Sequence, residues 1–184
     1  MVKEKISEQQ WQLRDLWVGI GCQSGSSLQL IETAIEQVFK YNQLDRRAIA
    51  GFATINTKAS EVALVELCRL RNLPIKTFTA EILSTVSVPN PAKIIEAQVG
   101  TPSVAEAAAI LAASHPNSSN CSKLLPVPAK LKVKLLIPKQ IFRLHGQLKA
   151  VTLAVAQECE DKGYLHPLSC IHLTYLTKPL LGNN

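Results

Sequence analysis

Along the first half of the chain, short apolar blocks alternate with stretches in which apolar residues recur every third or fourth position. Leu16 to Gly21 (LWVGIG) is the first block; a cluster of Gly, Ser and Cys stops it, so it reads as a buried strand running into a loop. From Ser27 to Tyr41 the residues Leu28, Ile31, Ile35 and Val38 fall at helical spacing, and Ser24, Ser26 or Ser27 supplies a candidate N-cap. Ala48 to Ile55 repeats the strand signal. Lys58 to Arg71 repeats the helix signal, with Val62, Ala63, Leu67 and Leu70 expected to face inward, and Leu73 to Thr79 predicts a third strand. Strands alternating with helices imply βαβ units with right-handed crossovers and a largely parallel sheet.

After a loop rich in Pro and Asn, Ser87 to Pro91, the pattern changes. Ser103 to Ala113 is an alanine-rich helix whose opening, Ser103-Val104-Ala105-Glu106, has the S-x-x-E form of a capping box. His115 to Lys130, rich in Ser, Asn and Pro, reads as a loop. Two strand-like stretches follow, Lys132 to Leu144 and Leu148 to Ala156, with His145-Gly146 as the turn between them, so an antiparallel hairpin is expected beside the parallel core. The predicted fold class is therefore α/β, with a parallel N-terminal half and a C-terminal antiparallel hairpin. Residues 1–15 form a lead, 16–156 the domain, and 157–184 a tail with no clear pattern.

Composition narrows the class. A chain of 184 residues with 47% hydrophobic and 18% charged residues is expected to form one globular domain. No apolar run approaches the roughly 18 residues of a membrane span, and Met1 to Asp15 lacks a signal-peptide core, so a cytoplasmic location is expected. The five cysteines are odd in number, widely spaced and free of any C-x-x-C pair, which predicts reduced thiols. Cys159, His166, Cys170 and His172 cluster, but at a spacing that matches no standard metal site, so no metal is expected.

The net charge of +6 is unevenly placed. Between Ala107 and Gln157 stand seven basic residues (Lys123, Lys130, Lys132, Lys134, Lys139, Arg143, Lys149) and no acid. Such a segment suits an anionic partner or is simply a solvated basic face. Its one aromatic residue, Phe142, makes single-stranded nucleic acid a poor fit.

The loop Gly21 to Ser27, between strand and helix, offers free N–H groups and a positive helix end to an anion, through Gly21, Cys22, Ser24, Gly25 and Ser26. Ordinary turn chemistry explains the glycines as well. No G-x-G-x-x-G or G-x-x-x-x-G-K-[ST] accompanies it, which speaks against dinucleotides and nucleoside triphosphates. Cys22 is a candidate nucleophile at a helix start, with packing as its alternative role. Lys58 and Glu61, three apart, are candidates for orienting a carboxylate or moving a proton, or form a plain ion pair. Glu106 is a candidate catalytic acid or only a capping residue, and Gly100, Thr101 and Ser103 before that helix make a second candidate anion site.

Four stretches, in order, resemble the CbiG C-terminal and CobE family of cobalamin biosynthesis: Val18-Gly19-Ile20-Gly21-Cys22 with Gly25, Ala53-Thr54-Ile55 through Lys58 and Glu61, Val99 to Ala108 (VGTPSVAEAA), and Val151 to Ala156 (VTLAVA). The resemblance covers about Leu16 to Ala156 and implies a three-layer α/β/α fold with a mixed sheet. It further implies binding of a cobalt-precorrin or related corrinoid acid, with help in lactone opening and deacetylation as in the C-terminal part of a cobalt-precorrin-5A hydrolase. No cofactor is implied beyond cobalt carried within the corrinoid. Lys132, Lys134 and Lys139 then become candidates to receive corrinoid carboxylates. The chain departs from the family in having Gln23 and Ser24 where basic residues are frequent, and Asn56 and Ser60 where acids are frequent. At this length the N-terminal domain of the hydrolase is not expected within the 184 residues. The alternatives are a non-catalytic partner domain for a separate hydrolase half or a precorrin methyltransferase, and a generic anion or nucleic-acid binder.

Overall fold

The fold is taken from a computed structural model that describes residues 14–89, 103–114 and 133–158. Five strands form one mixed sheet: β1 (Leu16–Cys22), β2 (Ile49–Ile55), β3 (Ile75–Phe78), β4 (Val133–Arg143) and β5 (Ala150–Glu158), in the order β3-β2-β1-β5-β4. β1, β2 and β3 are parallel; β5 runs antiparallel to both β1 and β4. The helices are α1 (Leu28–Tyr41), α2 (Val62–Arg71), α3 (Ala80–Ser84) and α4 (Val104–Ser114).

Side-chain alternation on β1 divides the molecule into layers. Leu16, Val18 and Ile20 face one core with Leu30, Ile31, Ile35, Val38 and Phe39 of α1 and Leu64 and Leu67 of α2. Trp17 faces the other core, built from Ala105 to Ala113 of α4, Leu83 of α3 and Ala53, Ala154 and Ala156 of the sheet. The two cores place α1 and α2 on one face and α3 and α4 on the other. The three-layer α/β/α arrangement with a mixed sheet follows.

Local chemistry explains the boundaries. Ser27, in extended conformation, caps α1 by accepting the Leu30 N–H at 3.2 Å. Asn72 at φ +49 ends α2 in the left-handed region, and the next N–H, of Leu73, reaches back to the Cys68 carbonyl at 3.1 Å. Gly19 has a packing reason: a Cβ there would overlap the backbone of Ala105 and Ala109, so only glycine lets α4 lie directly on β1.

Three expectations need correction. The helix predicted from Lys58 starts at Val62; Lys58 closes a 3-10 turn (Asn56–Lys58) and Glu61 is the residue before the helix. Val62 and Leu70, expected inward, are exposed (75% and 55%), while Leu64 is fully buried. At about 100° per residue, Val62 points nearly opposite Leu64 and Leu70 lies about 120° from it. The hairpin connection is longer than a turn at His145-Gly146, because β4 ends at Arg143 opposite Ala150 and Leu148 is solvent-exposed in the loop. β4 is an edge strand, and its register shifts around Pro138, which has no N–H for the ladder. The short helix α3, capped by Thr79, was not anticipated by the apolar pattern.

Candidate functional site

The ends of β1 and β2 and the start of β5 meet at one edge of the sheet, since Cys22 pairs with Val151 and Ile55 lies two strands away. Here the loop after β1 is held from two sides. Gly25, at φ +70, donates its N–H to Glu61 Oε1, and Lys58 Nζ donates to Ser24 Oγ. Lys58 Nζ is also 3.7 Å from Glu61 Oε2, and both side chains are largely buried. From the hairpin loop, Lys149 Nζ donates to the carbonyls of Ser24 and Gly25, each at 2.7 Å, and Ala150 N–H donates to Gln23 Oε1 at 3.1 Å. Ser26, buried, donates its hydroxyl to the Gln23 carbonyl.

Lys58, Glu61, Ser24 and Gly25, read separately from the sequence, therefore form one cluster. Glu61 already fills the position at Gly25 N–H where an external carboxylate was expected, and Lys58 faces it as a counter-charge. The cluster can exchange partners: a carboxylate displacing Glu61 finds a backbone N–H, a lysine and a serine hydroxyl at one point. The substitution Gly25→Val would do more than crowd this loop. It imposes a β-branched residue at φ +70 and drives its Cβ against Lys149 Nζ, so it disturbs the fold as well as the site.

Cys22 lies beside this cluster, half-buried against the α1 core. Burial pushes its thiol up to about 11, with Lys58 pulling it down and Glu61 pushing it up by less. Near neutral pH it is a protonated thiol, which fits packing and not nucleophilic attack.

The start of α4 comes to the same edge. A Cβ built on Gly21 would stand 3.8 Å from Val104 Cβ, so the first turn of α4 abuts the end of β1. The capping box, however, does not form. Ser103 is 2% exposed and its Oγ has no hydrogen-bond partner among the described residues, while Glu106, fully buried, accepts the Lys139 N–H on Oε1 at 2.9 Å. The distorted β4 after Pro138 presents that N–H. Glu106 thus ties α4 to β4, out of contact with solvent. Gly100 and Thr101 lie outside the described residues.

The lysines of the basic segment stand apart on the sheet. Lys134 pairs with Gln157, which pairs with Leu16, so it stands at the far edge of the sheet. Lys139 lies on the edge strand, and Lys132 is outside the described residues. The lysine that does reach the loop is Lys149, counted within the segment but not singled out; only the β5-to-β1 pairing brings it there. Gln23 and Gln147 were likewise missed, the latter receiving the Ser27 hydroxyl at 3.2 Å. Among the described residues no group of three or more His, Cys, Asp or Glu is placed to hold a metal, and no helix is long and apolar enough to cross a membrane. The Cys159, His166, Cys170 and His172 group lies outside the described residues.

The family model described as "Cobalamin synthesis G C-terminus" matches residues 16–156, the whole sheet up to the last two residues of β5. The chain belongs to the CbiG C-terminal family. A cobalt-precorrin-5A hydrolase of Priestia megaterium is 28% identical over 96 residues, which are 52% of this chain and 26% of that enzyme. The enzyme of the same name from Salmonella typhimurium is 32% identical over 65 residues, 35% of this chain and 18% of the relative. The matched region thus spans about a quarter or less of these curated relatives. The crystal structure of CobE, a protein from the cobalamin biosynthetic pathway, superposes with a TM-score of 0.60 at 22% identity, covering 77% of this chain and 89% of CobE. This CbiG C-terminal domain therefore shares the CobE fold.

Proposed function

We propose that this domain is a cytoplasmic cobalamin-biosynthesis module that binds a cobalt-precorrin or related corrinoid acid at the edge where β1 and β2 end. One observation carries the reading: two lysines from distant parts of the chain, Lys58 and Lys149, converge with the start of α1 on the loop Gln23 to Ser27, and the start of α4 abuts the end of β1 just before it. A corrinoid acid presents several acetate and propionate carboxylates around a flat apolar ring. Helix starts and lysines spaced along one edge suit several such arms at once, and two held arms orient a ring that one arm leaves free to rotate. Lys58 and Glu61 are the pair placed to assist lactone opening, Lys58 by holding a carboxylate and Glu61 by taking a proton from water. Glu106 is walled in and serves the fold.

A second reading has its own support. Because the curated relatives extend far beyond the matched region, the domain fits equally a non-catalytic part that presents the corrinoid to a separate hydrolase portion.

Absorbance titration of the purified chain with cobalt-bearing and metal-free corrinoid acids tests the binding. Lys58→Gln and Lys149→Gln should each weaken it roughly tenfold, the scale of one charge-assisted hydrogen bond at about 1.5 kcal/mol. If neither corrinoid perturbs the spectrum or the melting temperature, the reading fails. Turnover of the lactone by the chain alone separates a hydrolase from a presenting module.

A further inference from the structure

The opposite edge of the sheet, where β1, β2 and β3 begin, carries a cavity that the corrinoid reading does not use. Its volume is about 270 Å³, and Ile35, Ile49, Phe52 and Leu73 supply its apolar lining. Arg14, Arg46, Arg47 and Arg71 also line it. Topology gathers them: Arg14 precedes β1, Arg46 and Arg47 form the 3-10 turn entering β2, and Arg71 ends α2 ahead of β3. Parallel strands bring their beginnings to one edge, so arginines far apart in sequence become neighbours.

The rim is only partly neutralised. Arg47 is forked onto Asp45 through Nε and Nη2, Arg71 Nη2 reaches Glu32 at 3.0 Å, and Arg46 Nη1 stands 3.7 Å from Glu36. Arg14 has no ion pair among the described residues. Four guanidiniums against these three carboxylates leave one positive charge, and each guanidinium carries five N–H donors, most of them uncommitted. Such half-exposed pairs contribute little, so an incoming anion can replace a carboxylate at small cost.

We propose that this cavity binds a small organic oxyanion, a carboxylate or a phosphate monoester on an apolar stem. The stem lies against the apolar lining, of which Leu73 is the half-exposed member, and the head group takes forked hydrogen bonds from the arginine rim. An inorganic ion would satisfy the rim but leave the floor wet. The cavity lies at the small end of the roughly 300–1,000 Å³ range of ligand pockets, so it admits a small molecule and not a corrinoid ring. The two ligands would therefore occupy opposite edges of one sheet.

Isothermal titration of the 184-residue chain with phenyl phosphate, phenylacetate, inorganic phosphate and neutral benzyl alcohol tests this. The expected result is one-to-one binding of phenyl phosphate or phenylacetate, the tighter of the two identifying the head group, with inorganic phosphate and benzyl alcohol at least about tenfold weaker. The double variant R14Q/R47Q should lose about tenfold or more in affinity at an unchanged melting temperature, since Arg14 is exposed and the Arg47 side chain is 79% exposed. R46Q/R71Q provides the second pair and should behave alike. Absence of binding by both organic anions, equal binding of benzyl alcohol, or undiminished affinity in both double variants overturns the proposal.

Discussion

The carboxylate of Glu61 receives the Gly25 N–H and faces Lys58 across 3.7 Å, so a ligand carboxylate arriving at this loop competes with one the protein already supplies. Glu61→Gln keeps an oxygen for Gly25 but removes the competing charge. Corrinoid affinity should therefore rise several-fold in Glu61→Gln and fall in Lys58→Gln, opposite signs in the same absorbance titration; a fall in both would assign Glu61 to ligand contact. Beside it, Cys22 has its thiol raised by burial from 9.0 to about 11. A group raised on folding favours the native state below its unfolded value and loses that contribution as pH climbs through the folded one. Stability should thus decline between about pH 9 and 11, and alkylation of the Cys22 peptide, followed by mass spectrometry, should stay slow at pH 8 and accelerate across that window. At α4 the two capping-box residues separate by their partners. Glu106→Ala removes the partner of the half-buried Lys139 N–H and should cost roughly 1–3 kcal/mol in denaturant unfolding. Ser103→Ala removes a hydroxyl with no partner among the described residues, so it should stay within about 0.5 kcal/mol of the parent, below the 0.5–2 of a lost cap. A Ser103→Ala cost above 1 kcal/mol would mean the hydroxyl caps α4 after all.

At the scale of elements, what the chain pattern made legible was local. β1, α1 and β2 appeared nearly at their observed bounds, because a buried parallel strand is a continuous apolar run and a one-sided helix such as α1 has a clear stripe. α4 was legible as a helix but not as a layer: with Ala105, Ala107, Ala108, Ala109, Ala112 and Ala113 all buried it has no polar face to mark its direction. The reason for those alanines lies on another element, in Gly19 of β1, whose missing Cβ lets the helix backbone sit against the strand. The start of α2 differs from the pattern because Lys58 and Glu61 show helical spacing, whereas Lys58, bonded to Ser24, closes a 3-10 turn and Glu61, bonded to Gly25, stands just ahead of the helix. The site was half legible for the same reason. Its β1 and β2 residues lie in recognisable strand ends, but Lys149, Gln147 and the bond from Glu106 to β4 depend on strand pairings of long sequence separation, which no periodicity records. The arginine cavity escaped entirely, because Arg46, Arg47 and Arg71 sit among acids that cancel them in any count along the chain.

For the whole molecule, the decisive feature is that β5 lies between β1 and β4, so the last described strand completes the centre of the sheet and not its margin. Val151, Leu153 and Val155 complete the core under α1, and Ala154 and Ala156 complete the core under α4, all of them fully buried. Without β5, β1 would become an edge strand with an unpaired ladder beneath both helix layers. Ile137 of β4 is buried as well. Returning Val151, Leu153, Val155 and Ile137 to water costs about 1.5–3 kcal/mol each, roughly 6–12 kcal/mol together. That is comparable to the entire stability of a domain of this size, about 5–15 kcal/mol. A chain ending at Ser114 keeps every parallel strand and helix described here, including Lys58, Glu61 and the four arginines, yet it should show no cooperative thermal transition by circular dichroism and no protected core amides in hydrogen exchange. The hairpin added as a separate peptide should restore both, since it supplies the missing strand, the two core faces and Lys149 in one piece. A cooperative melt of the truncated chain alone would show that the three parallel strands and their helices form an independent unit and that the hairpin is an accessory to it.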